Sequence, residues 1–145
     1  MSKKYTSSDQ ENVKSHFAQL CQLALADAFV TKDELEYLTK LRIQYGLSED
    51  DFNYIMDNAF AIPFTTPEKT FQRLEQLYEL VRMVLIDESI DERKVKLCVE
   101  VAEKLGFKAH IVGDLIKALV NIEEETGEDK LETDDLKFIL KDSKS

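Results

Sequence analysis

The sequence predicts an all-α protein, a compact bundle of about seven helices made of two repeated three-helix units and a C-terminal helix. Three observations predict it. Shifted by 60 residues, the chain aligns with itself without a gap, setting Leu20, Leu25, Asp27 and Gly46 on Leu80, Leu85, Asp87 and Gly106. Apolar positions keep step between these marks: Val30 falls on Ile90, Leu35 on Val95, Leu41 on Val101, Phe52 on Val112, Ile55 on Leu115 and Met56 on Ile116. A fixed period of this kind means one supersecondary unit built twice. Apolar residues also recur at steps of three and four, and no segment alternates with the period of two that marks a half-buried strand. Finally, Gly46 and Gly106 each close a helical pattern, as expected of the left-handed residue just past a helix end, while Pro63 and Pro67 both lie between the repeats.

The 145 residues, 43% of them hydrophobic, suit a single domain over 1–145 with one core. Repeat one covers about 10–60, repeat two about 67–122, and the last helix about 133–141. In repeat one the first helix runs from about Asp9 to Ala26 with Val13, Phe17, Leu20 and Ala24 inward. After a short polar break the second helix carries Leu35, Leu38 and Leu41. The third begins at Ser48, a good cap followed by Glu49, Asp50 and Asp51, and buries Phe52, Ile55 and Met56. In repeat two, Thr66-Pro67-Glu68 reads as an N-cap, a first-turn proline and a dipole-favoured acid, so a helix starts there. It carries Phe71, Leu74, Tyr78, Val81 and Leu85, a stripe widened by Leu77, Leu80 and Val84 until it is apolar nearly all round. Its successors carry Val95, Cys98 and Val101, then run from about Lys108 to Ile122. Thr133 caps the last helix, which docks through Leu136, Ile139 and Leu140.

Charge and cysteine content narrow the partners. With 19 basic and 29 acidic residues the net charge is −10, which repels nucleic-acid phosphates and anionic membrane surfaces and leaves proteins or cations as partners. Cys21 and Cys98 stand alone in apolar helical runs, as buried reduced thiols do, and nothing resembles a zinc site or a disulfide framework. No run approaches the roughly 20 apolar residues that span a bilayer. Residues 1–15 are basic and then polar with no apolar stretch behind them, so the expectation is a soluble, cytoplasmic protein. Four glycines leave little room for a phosphate loop, and no Gly-x-Ser-x-Gly elbow or nucleophile–base pairing appears, so no enzyme signature is present. His16 and His110 belong to no Glu-x-x-His pair and are assigned to helix surfaces. The acidic run 123–129 lacks the acid spacing of a calcium loop and reads as a solvated helix end.

The residues able to carry chemistry sit where the first and second helices of each repeat meet. The two runs are Ala26-Asp27-Ala28-Phe29-Val30-Thr31-Lys32-Asp33-Glu34 and Ile86-Asp87-Glu88-Ser89-Ile90-Asp91-Glu92-Arg93-Lys94. Turn chemistry accounts for them: an Asp oxygen holds free backbone N–H groups, and a buried Val or Ile pins the loop. Thr31 with Glu34 forms a capping box, and Asp91 caps the matching helix. The same acids are also candidates for binding, since clustered carboxylates point to functional sites. Between the repeats, the apolar segment Ala59-Phe60-Ala61-Ile62-Pro63-Phe64 is expected to fill the core at the crossing.

The pattern Ala-Asp-x-x-Val-Thr-x-x-Glu, a Leu-rich helix and then Gly-Leu-Ser before a third helix, repeated once, resembles the TerB-like tellurite-resistance helical family over roughly Phe17 to Leu119. The resemblance implies an all-α bundle of two related halves, a role in stress or metal resistance, and a metal-binding surface formed by the acids of both loops. Carried over, it points to Asp27 and Glu34 in the first loop and Asp87 in the second, with Asp91 as a compensating acid. Three positions depart from the family pattern: Ala28 and Glu88 replace its glycine, and Lys94 stands in place of the second Glu. No cofactor is assigned with certainty; an oxygen-donor site here would take a divalent cation, Ca²⁺, Mg²⁺ or Mn²⁺, and hold it weakly. Phe29, an aromatic among acids, together with Glu88 points to a protein partner. The expected function is thus a non-catalytic helical binding module for a protein partner. The alternatives are a divalent-cation sensor or scavenger working through the acidic loops, and a purely structural scaffold.

Overall fold

A computed structural model describes residues 7–27, 30–86 and 90–143; the side chains of 7, 8, 142 and 143 are outside the description. Seven helices and no strand are present among the described residues: α1 Ser7–Ala24, α2 Lys32–Tyr45, α3 Glu49–Asp57, α4 Thr70–Val84, α5 Glu92–Lys104, α6 His110–Thr126 and α7 Thr133–Ser143. The chain divides into two compact units, Met1–Pro67 and Glu68–Ser145.

In the first unit, α1 packs against α3 and α2. Residues 15–21 of α1 are buried without a gap, Phe17, Ala18, Leu20 and Cys21 completely. The rings of Tyr45 and Phe52 meet Phe17 edge-on, at centroid distances of 5.5 and 6.3 Å, the arrangement aromatic quadrupoles favour. Helix α2 ends as its sequence requires. Gly46 adopts φ 72°, its N–H reaches the Ile43 carbonyl at 3.1 Å, and the Leu47 N–H reaches that of Arg42 at 3.0 Å, the paired bonds of a Schellman motif. Helix α3 starts on the Ser48 hydroxyl, which accepts from the Asp51 N–H at 3.0 Å.

In the second unit, α4 packs against α5, α6 and α7. Leu74, Leu77, Leu80, Val81 and Met83 are fully buried, as the broad apolar stripe predicts. The end of α5 repeats the geometry of α2: Gly106 has φ 90°, with bonds of 3.0 Å from its N–H to the Glu103 carbonyl and 2.9 Å from the Phe107 N–H to that of Ala102. Arg73 of α4 donates to the Leu105 carbonyl beside it at 3.3 Å. Helix α6 runs one turn beyond Ile122, to Thr126, and is closed by Gly127 at φ 76°; the acids after it are exposed. Helix α7 is held by buried Leu136 and Ile139, and by the Leu131 N–H donating to the Tyr78 hydroxyl at 2.7 Å. Burial is the main reason the Tyr78 phenol titrates above its ordinary range.

Several local expectations yield to tertiary structure. Helix α4 begins at Thr70, with Lys69 and not Thr66 in the capping position. The preceding chain is tied to α1 instead: the Thr65 N–H donates to the Ser15 hydroxyl at 2.9 Å, the Thr65 hydroxyl donates to Asn12 at 2.7 Å, and Pro67 is buried. Of the apolar linker, Ala59 is buried but Phe60 is 75% exposed, so this ring does not fill a core. His16 is buried, not on a surface, with its ring edge-on to Phe17 and Tyr45. His110 is exposed as expected and pairs with Asp114 one turn on. Leu35 stands 49% exposed, turned away from Leu38 and Leu41, which are buried.

Candidate functional site

The elbow between α1 and α2 is built by backbone demand. Helix α1 closes with the Leu25 N–H on the Cys21 carbonyl at 2.8 Å and the Ala26 N–H on that of Leu23 at 3.3 Å. Half-buried Asp27 follows and is engaged in an interaction of its own. Thr31 takes an extended conformation, φ −74° and ψ 161°, and caps α2. Its hydroxyl accepts from the Glu34 N–H at 3.1 Å, while Glu34 Oε1 accepts from the Thr31 N–H at 3.0 Å. Two of the orphan donors at the helix start are thereby satisfied reciprocally. Glu34 is completely buried in doing so.

The second elbow keeps the register and changes the chemistry. Helix α4 closes with the same bonds 60 positions on, from the Leu85 N–H to Val81 and from the Ile86 N–H to Met83, both 3.3 Å. Asp91 caps α5, but its carboxylate accepts from the Arg93 N–H at 2.9 Å, one residue earlier than the Thr31 hydroxyl reaches in α2. Its two oxygens also accept from the Arg93 guanidinium, Oδ2 at 2.9 Å. These side-chain bonds, with the backbone bond beside them, hold the Asp91 carboxyl below its ordinary value of 3.8. Lys94, in the position of Glu34, is 1% exposed and engaged. The aliphatic pins differ from expectation: Val30 is only half-buried and Ile90 is 48% exposed, both in the connection just before the caps of α2 and α5.

Of the residues singled out for metal or partner binding, Asp27, Glu34 and Asp91 can be placed; Phe29, Asp87 and Glu88 lie outside the described residues. Glu34 and Asp91 are turned to their own helix starts. Among the described residues no group of three or more His, Cys, Asp or Glu side chains is arranged to hold a metal ion. Cys21 and Cys98 are buried, which pushes both thiols up to about 12 and leaves them protonated and unreactive at neutral pH. Among the described residues no helix is long and apolar enough to cross a membrane.

The chain matches no family model, no curated protein and no solved structure. Its functional reading therefore rests on its own residues. Sequence reasoning missed one of them, buried Lys94, which it took only as a departure from the family pattern at the second Glu. Register marks the position, since 94 repeats 34 as the third residue of a capped helix, but that this position faces inward is set by the packing around it.

Proposed function

We propose that this chain is a non-catalytic helical binding module of the TerB-like kind, made of a duplicated three-helix unit plus α7, and that it engages a protein partner at the Asp27 elbow. The observation that carries the choice of a protein over an ion is the commitment of the placed acids. Glu34 spends a carboxylate oxygen on the Thr31 N–H from a fully buried position, and Asp91 holds the Arg93 guanidinium with both oxygens. A hard divalent cation takes six or more oxygen ligands and would have to displace these bonds. A protein partner asks nothing of them, and Phe29, an aromatic among acids in the sequence, supplies the type of side chain that anchors such contacts. The duplication is supported by helix boundaries that recur 60 positions apart: α1 and α4 end at Ala24 and Val84, and α2 and α5 begin at Lys32 and Glu92.

Two measurements on the full chain test this. Melting in millimolar Ca²⁺, Mg²⁺ or Mn²⁺ is expected to leave Tm unchanged; a rise that disappears in the Asp27→Asn, Asp87→Asn double variant would replace the reading with a cation sensor. Affinity capture is expected to recover a discrete partner with the wild-type chain and with a Lys137→Ser control, and to lose it with Phe29→Ser. Equal recovery by all three chains, or by none, leaves a structural scaffold.

A further inference from the structure

The outward face of α2 carries an apolar stripe. Leu35 is 49% and Ile43 65% exposed, with exposed Thr39 midway between them at the four-residue step that keeps side chains on one helix face. At 3.6 residues per turn, Leu35 and Ile43 lie about 40° to either side of Thr39, diametrically opposite the buried Glu34, Tyr37 and Leu41. The Thr39 hydroxyl donates to the Leu35 carbonyl at 2.8 Å, so it brings no unmet polar demand to a dry contact. The stripe is peculiar to the first unit. In α5 the same positions are Val95 and Val99, both half-buried, and the charged Glu103.

We infer that this face of α2 associates with the α2 of a second copy of the chain, antiparallel, about a twofold axis at Thr39. The order of residues around the stripe selects that occupant. Antiparallel pairing about Thr39 sets Leu35 on Ile43 of the second copy and Ile43 on its Leu35, the self-complementary contact a twofold interface requires. Exposed Glu36 and Lys40 follow Leu35 and Thr39 by one residue each and so share one flank. A twofold axis of this orientation keeps like flanks together and orders the charges along that flank as Glu36, Lys40 of the second copy, Lys40 and Glu36 of the second copy, so Glu36 meets an opposite charge twice against a single approach of the two Lys40. A parallel pairing would put those charges on opposite flanks. Two large apolar groups and a threonine per copy make a small contact, so the dimer is a reversible one at the weak end of specific interfaces. None of these residues belongs to the elbow reading, and either can fail without the other.

Sedimentation equilibrium on the full chain, from micromolar to millimolar concentration, tests this pairing. Wild type is expected to pass from monomer toward dimer, and Ile43→Asp to remain monomeric throughout. Glu36→Lys and Lys40→Glu each convert two attractions into two repulsions and are expected to weaken the dimer about tenfold. Mixing these two variants in equal amounts restores both attractions in the mixed pair and removes the approach of like charges at position 40, so the mixed pair is expected to form at least as well as the wild-type dimer. All three positions are exposed, and circular dichroism melting confirms that each variant is folded. A wild-type chain that stays monomeric, an Ile43→Asp chain that still dimerises, or a mixture no better than its separate components would each overturn the proposal.

Discussion

The two elbows occupy the same register and solve the same problem with different chemistry. Both follow a helix that closes with matching backbone bonds, and both must satisfy the free N–H groups at the start of the next helix. The first does so with a neutral hydroxyl and a buried carboxylate that answer each other, Thr31 and Glu34. The second uses a half-exposed carboxylate clamped by a neighbouring guanidinium, and buries a lysine where the first buries a glutamate. The difference teaches that two positions 60 residues apart keep their burial without keeping the charge placed in them. A motif transferred between the loops by register alone therefore misassigns the chemistry of the second.

Four perturbations break or sharpen that contrast. The largest effect is expected from Lys94→Ala, which removes a buried, engaged cation and leaves both a cavity and unmatched surroundings, at a cost of about 2–4 kcal/mol by urea unfolding. If Lys94→Ala proved as mild as a surface substitution, the buried lysine would be incidental to the second elbow. Glu34→Ala should follow at about 2 kcal/mol, with Glu34→Gln recovering much of the loss because an amide oxygen can still accept from the Thr31 N–H.

Next come the glycines, where the two units agree. Alanine at Gly46 or Gly106 must adopt a left-handed backbone, costing about 1–2 kcal/mol. Gly106→Ala should cost slightly more, since its added Cβ would lie 3.4 Å from Arg73 Nη1, while nothing lies within 4 Å at Gly46. Unfolding titrations of the two variants side by side check the order.

The smallest effect separates the elbows by pH. Because Arg93 lowers the folded-state pKa of Asp91 below 3.8, the stabilisation from that carboxylate is fully present above the unfolded value and fades as pH falls through the folded one. The Tm deficit of Asp91→Asn at pH 7 should therefore shrink and disappear on acidification below about pH 4. Thr31→Ala, which removes a hydroxyl that does not titrate in this range, should show a deficit of about 1 kcal/mol at both pH values.

What could be read in advance was local. Gly46 and Gly106 announce left-handed helix ends because few other residues accept positive φ, and Ser48 and the Thr31–Glu34 pair announce helix starts because their partners lie three residues away. What escaped was set over longer distances. Thr66-Pro67 has good starting chemistry, yet Thr65 is tied to Ser15 and Asn12, some fifty residues earlier, and the helix cannot begin until the chain is released at Thr70. Leu35 shares a three-residue step with Leu38 and Leu41, but each such step drifts by about 60° around the helix, and Leu35 ends on the open side. Of the candidate site, the capping roles of Thr31, Glu34 and Asp91 were legible; the burial of Lys94 was not.

By itself the sequence determined the helical class, the order of the helices, the recurrence of their boundaries and the residues that open and close them. These depend on periodicity and on bonds within four or five positions, which composition and spacing encode directly. Only the tertiary structure decided which of several suitable side chains is buried: His16 and Lys94 inward, Leu35 and Phe60 outward. Burial is a property of what packs against a side chain, and residues distant in the chain supply that neighbour.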